Sequence, residues 1–155
     1  MPIGAFRLAI ASAAVLSVSG CSWITTFVVA NKSDSPVTVE YRLSSAGTNM
    51  PACPDDNFVP RPRVIPIANV ANIDESTTVI EYSCNPAQRA VKLTLSPRHA
   101  VSIFRSGTYT GHSSAGEAVV ALSITGATGS VSYAGDQLTK DFKKNSDTLY
   151  VLSYI

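Results

Sequence analysis

Residue-by-residue alternation of apolar and polar side chains constrains this chain more than any other feature. Val37, Val39, Tyr41 and Leu43 alternate with Thr38, Glu40, Arg42 and Ser44; Val91, Leu93 and Leu95 alternate with Lys92, Thr94 and Ser96. A period of two scatters apolar groups around a helix but gathers them on one face of a strand. β-Branched and aromatic residues fill these runs, as a pleated, half-buried surface favours. Further strands are expected over Thr77–Ser83, Ala90–Leu95, Ala100–Arg105, Ala118–Thr125, Ser130–Tyr133 and Thr148–Tyr154. Trp23–Ala30 is apolar or threonine on both sides and reads as a central strand. Val64–Asn69 reads as an edge strand, because Pro66 cannot donate to a ladder on both sides.

The connections carry their own signals. Asn31-Lys32-Ser33-Asp34-Ser35-Pro36 is a run of turn formers and is expected to join Trp23–Ala30 to Val37–Leu43 as a hairpin. Residues 44–63 form a long irregular segment rich in Pro, Asn, Asp and Gly, a length unusual in a compact domain. A bridge from Cys53 within it to Cys84 would explain why it is tolerated. Cys84 also continues the apolar side of Ile80 and Tyr82. One short helix is expected over Asp136–Lys144. Asp136 would cap it, Leu138 and Phe142 would share a face four residues apart, and Lys143 and Lys144 would meet the negative end of its dipole.

Roughly eight short strands with turn signals between them predict an all-β chain folded as an antiparallel sandwich. An immunoglobulin-like sandwich is favoured on architecture alone, since Trp23 precedes both cysteines and the immunoglobulin Cys…Trp…Cys order is absent. A small β-barrel is the alternative.

The amino terminus belongs to a different class of signal. Arg7 precedes the apolar stretch Leu8–Val18, which is too short for a hydrocarbon core needing about 20 residues. Small residues and a cysteine follow, the pattern of an export signal. Val18-Ser19-Gly20-Cys21 resembles the lipobox of bacterial lipoproteins. The resemblance covers residues 1–21, and valine stands where leucine is more usual. It implies cleavage of a signal peptide before Cys21, a diacylglyceryl thioether on its sulfur, and a third acyl chain, typically palmitate, on its amino group. Ser22, rather than aspartate, implies the periplasmic face of the outer membrane where the host is Gram-negative. The alternatives are simple secretion and an uncleaved anchor.

Cleavage there would leave 135 of the 155 residues, with 11 basic and 11 acidic side chains. That is one domain, residues 21–155, without the basic excess that nucleic-acid binding needs. Lys140, Lys143 and Lys144, interrupted by Asp141, read as a solvated face, with contact to anionic lipid head groups as the minority reading. Cys53 and Cys84 make an even count for an oxidising compartment and lack the C-x-x-C spacing of a redox pair.

Chemistry is sparsely signalled. Gly111-His112-Ser113-Ser114-Ala115-Gly116 looks like a nucleophile elbow, but the second glycine comes one residue late and no histidine follows. His99 and His112 lack companions for a metal site. Asp55-Asp56 lacks the calcium-loop pattern and, like Asp74-Glu75, reads as loop carboxylates. Tyr109 and His112, in the loop-like stretch 106–116, are candidates for an interaction loop, beside the alternative that Tyr109 packs on the core edge. The sequence therefore points to a non-enzymatic, membrane-anchored envelope protein, with no cofactor or metal implied. Its expected partners are the membrane, through the anchor, and another envelope protein. A barrel that carries or senses a small molecule or lipid is the alternative.

Overall fold

The expected alternation becomes strands whose bounds in two cases match to the residue. The computed structural model describes residues 23–45, 51–56, 59–73, 77–108 and 118–155. Strands run over Trp23–Asn31 (β1), Val37–Leu43 (β2), Arg63–Pro66 (β3), Thr78–Val79 (β4), Tyr82–Asn85 (β5), Ala90–Leu95 (β6), His99–Thr108 (β7), Val119–Gly126 (β8), Gly129–Ala134 (β9), Lys143–Ser146 (β10) and Leu149–Tyr154 (β11). They form a six-stranded sheet, β10-β11-β1-β7-β3-β4, and a five-stranded sheet, β5-β6-β2-β8-β9. The two pack face to face, so the fold is the expected all-β sandwich. Both sheets end in open edges among the described residues, and the barrel alternative does not hold.

The core between the sheets follows from the pattern. Val37, Val39, Tyr41 and Leu43 of β2 and Val91, Leu93 and Leu95 of β6 point inward, opposite Phe27, Val29, Val101 and Ile103 of β1 and β7. Phe27 stacks on Phe104 and Tyr150, at centroid separations of 6.1 and 5.4 Å, and meets Phe142 edge-on at 5.5 Å. A second, smaller cluster covers the other face of the six-stranded sheet. There Ile67, Val70 and Ile73, in and just after a 3-10 helix at Ile67–Asn72, cover Val28, Ala30, Ile65, Ala100 and Leu149. β1 is thus apolar on both faces, as its sequence required.

Five expectations need correction. First, Trp23–Ala30 and Val37–Leu43 do not form a hairpin: β1 lies in one sheet and β2 in the other, so the turn is an arch between layers. Second, the sandwich is not purely antiparallel, because β1 pairs with β11 in parallel, Phe27 opposite Tyr150 and Val29 opposite Leu152. Third, Val64–Asn69 stops being a strand at Pro66, which lacks the N–H a ladder needs and turns into the 3-10 helix. Fourth, Thr77–Ser83 splits into β4 and β5 in different sheets, with the Ile80 N–H bonded to the Pro62 carbonyl at the crossing. Fifth, the helix (α1) spans Asp136–Asp141, and Lys143 and Lys144 belong to β10. Gly135, at φ 54°, occupies the N-cap expected of Asp136; glycine accepts that left-handed conformation without a Cβ penalty. Leu138 and Phe142 do share a face and both enter the core.

Asn31 makes the arch. Its side chain is fully removed from water. The amide nitrogen donates to the carbonyls of Ser35, Leu95 and Ser96 at 2.9, 3.2 and 3.1 Å. Its oxygen accepts from the Ser33 N–H at 3.1 Å and hydroxyl at 2.7 Å. One side chain therefore ties the arch to the end of β6. An unpaired buried amide would cost about 1–3 kcal/mol per group; here both ends are satisfied.

Candidate functional site

The cysteine pair is where the sequence placed it. Cys53 and Cys84 are bridged, with Cα atoms 6.0 Å apart and a separation of 31 positions in sequence. Cys84, Tyr82 and Ile80 pack on the core as expected. The irregular segment is held in three further ways. The Arg89 guanidinium donates to the Pro51 carbonyl at 2.8 Å. The Ser44 N–H donates to the Ala118 carbonyl at 2.7 Å. Val59 is wholly buried in the core. Its tolerance thus rests on a covalent tie and an apolar plug together.

Cys21, Tyr109 and His112 lie outside the described residues, as do Ser113, Ser114 and Asp74-Glu75. β7 and β8 bracket the segment that contains Tyr109 and His112. His99, the other histidine, opens β7, and its Nδ1 lies 2.7 Å from the Pro97 carbonyl, so Nδ1 carries a proton and donates there.

The carboxylates that could hold a cation have protein partners. The Asp56 side chain accepts from the Arg61 backbone N–H at 2.8 Å and pairs with the Arg61 guanidinium. The backbone bond, then the side-chain bond, holds the Asp56 carboxyl below the usual range. Asp147 pairs with Lys144 at 2.8 Å, and this bond lowers the carboxyl and raises the ammonium pKa. Among the described residues, no three of His, Cys, Asp and Glu gather as metal ligands.

Two surface features were not foreseen. The first is an open groove of about 540 Å³ beside β10, β11 and the 3-10 helix. Ile67, Val70 and Val151 form its apolar wall, and Lys32, Lys143 and Asp141 its charged rim. Tyr133 also lines it; burial, and then the nearby Asp141 carboxylate, raise its phenol above the ordinary value. The second is the outer face of the five-stranded sheet. Thr94, Thr38, Thr125 and Ser130 form one cross-strand row; Ser83, Lys92, Glu40, Ser123 and Ser132 form the next. The face is polar and built of small side chains, with a shallow hollow of about 250 Å³ between Glu40, Arg42, Ser123 and Ser132. The alternating polar residues signalled that this face meets solvent, but their rows required the strand register.

Neither surface carries an arrangement diagnostic of a reaction. A nucleophile with a base within hydrogen-bond reach is the minimum for covalent catalysis, and the described histidine and paired acids are engaged elsewhere. No family model, curated protein or solved structure matches the chain. The sandwich describes the architecture alone.

Proposed function

We propose that this chain is a lipid-anchored, non-enzymatic β-sandwich of a bacterial envelope, held through Cys21, with a structural or protein-interaction role toward another envelope protein. The observation that carries the reading is the start of β1 at Trp23, two residues after the lipobox cysteine. Two residues span at most about 7 Å, so an acylated Cys21 would hold the sandwich against the bilayer. Ile24, 55% exposed, follows Cys21 by three residues, where an apolar side chain would suit the head-group boundary. Three acyl chains, each CH₂ contributing about 0.8 kcal/mol when buried, would make release negligible.

The non-enzymatic part of the reading is supported by the engagement of His99, Asp56 and Asp147 in local bonds. The interaction role is supported by the polar outer face of the five-stranded sheet and by loops joined to a rigid scaffold, where binding residues concentrate. The described interior is filled with side chains, so a lumen for a carried molecule lacks a structural counterpart.

The test is metabolic labelling with radioactive palmitate in a bacterial host that processes lipoproteins. The full chain should take up label and sediment with membranes, and Cys21→Ser should lose both properties. An unlabelled protein, or a Cys21→Ser variant that still sediments with membranes, overturns the anchor.

A further inference from the structure

Among the described residues, four strands end the two sheets, and three of them are protected against pairing with another chain. β10 carries exposed Lys143 and Lys144 and a register shift against β11. β4 has two residues. β5 is tied through Cys84 to the segment bearing Cys53, and the Ala52 carbonyl lies 3.7 Å from the Cys84 sulfur. Charge, brevity, irregularity and covering are the devices by which natural sheets blunt their edges. Among the described residues, β9 has none of them. Gly129-Ser130-Val131-Ser132-Tyr133-Ala134 lacks charge and proline, pairs with β8 without a register shift, and is exposed except at half-buried Tyr133.

We propose that β9 is a homodimerisation edge, pairing antiparallel with β9 of a second copy about a two-fold axis through Ser132. The phase of the β8–β9 ladder leads to this register. The Gly135 N–H bonds the Val120 carbonyl, which places Tyr133, Val131 and Gly129 at the bonded positions toward β8. Ser130, Ser132 and Ala134 consequently aim their N–H and C=O groups outward. Centring on Ser132 sets that residue opposite Ser132 of the partner subunit, and Ser130 opposite Ala134 of the partner subunit. Each such pair exchanges two backbone hydrogen bonds. Val131 then faces Tyr133 of the partner subunit, and Tyr133 faces its Val131. These are aromatic–β-branched pairs of the kind that stabilise sheets. They also cover Val131, one of the chain's exposed large apolar residues.

The strand is therefore complementary to itself, which an isologous interface demands. Foreign strands could use the backbone, but the side-chain match is specific to this sequence. A two-fold axis normal to the joined sheet leaves both six-stranded sheets on one side. Both β1 strands stay on that side, where an acylated Cys21 of each copy would meet one bilayer.

The experiment is sedimentation equilibrium of the full chain in density-matched detergent, beside Ser132→Lys and Thr94→Lys. Thr94 is also exposed on the same face but lies on β6, three strands from β9. The unchanged chain and Thr94→Lys should dimerise. Ser132→Lys, which opposes two ammonium groups on the axis, should weaken association at least about tenfold while matching the unchanged chain's melting temperature at dilutions where both are monomeric. In addition, Ser132→Cys should form an intermolecular disulfide, because bonded antiparallel pairs have Cα atoms about 5.5 Å apart, within disulfide range. A monomer at all concentrations, a dimer indifferent to Ser132→Lys, or a Ser132→Cys chain that stays unlinked under oxidation overturns the proposal.

Discussion

The arch at residues 31–37 and the hairpin at residues 126–129 are both short and polar, yet one changes sheets and the other stays within a sheet. The hairpin is local. Gly126 pairs with Gly129, and the two strands it joins lie side by side. The arch is not local. Asn31 reaches 64 and 65 residues along the chain to the carbonyls of Leu95 and Ser96. The two connections meet at Tyr154, whose carbonyl accepts the Lys32 N–H at 2.8 Å. Its hydroxyl donates to the Gly129 carbonyl at 3.2 Å and lies 2.9 Å from the Thr128 hydroxyl. Turn composition therefore tells where a chain reverses but not what it reverses into. A buried side chain that satisfies distant carbonyls decides that.

The strongest way to break this comparison is Asn31→Asp. The carboxylate keeps the acceptors for Ser33 but loses every donor to Ser35, Leu95 and Ser96, and it sets a charge against three carbonyl oxygens. Urea unfolding at pH 7 should show a loss of about 3–5 kcal/mol. Such a carboxyl has a folded-state pKa raised above its unfolded value. Its neutral form is favoured in the fold, so stability should partly return as the pH falls toward 4 and vanish as the pH rises. A pH-independent loss would mean that Asn31 acts through shape and not through its donors.

The hairpin side should respond less. A Cβ on Gly126 would stand 2.7 Å from the Tyr154 hydroxyl oxygen and 3.0 Å from two ring carbons. Gly126→Ala should cost about 1–2 kcal/mol in the same assay. Tyr154→Phe, losing the hydroxyl bonds to Thr128 and Gly129, should cost about 1 kcal/mol. The double variant should cost less than the two changes together, because the phenyl ring gives back the space the new methyl needs. Full additivity would separate Tyr154 from the hairpin. The smallest effect belongs to the surface of the arch. Arg98 and Asp34 are paired at 2.7 Å but remain 65% and 87% exposed. Asp34→Asn should change stability by less than about 0.5 kcal/mol, a result that a thermal melt at low salt can check.

Parts of this structure were legible because they are local. β2 and β6 begin and end where the alternation does. Leu138 and Phe142 share a face because they stand four apart. The bridge between Cys53 and Cys84 followed from an even count after Cys21. Other parts were hidden for physical reasons. Ile80, Tyr82 and Cys84 keep one unbroken alternation while the chain leaves one sheet for the other, because both sheets look onto the same core. β10 is exposed at all four positions, so no apolar period marks it, and its lysines read as the end of a helix. Of the candidate site, the disulfide was legible. The unprotected edge at β9 was not, since an edge is defined by the strand that fails to lie beside it.

The sequence by itself determined that the alternating, core-lining segments are extended, which side of each of these is buried, and which cysteines join. Alternation and residue chemistry travel with the chain. Tertiary structure alone decided that β1 lies parallel to β11, that Asn31 bridges two layers, and that β9 is left at a border. Backbone hydrogen bonds are the same for every strand and cannot choose a neighbour. Only the closing of two sheets over one core, with each buried polar group finding a partner, selects among the pairings that the chain permits.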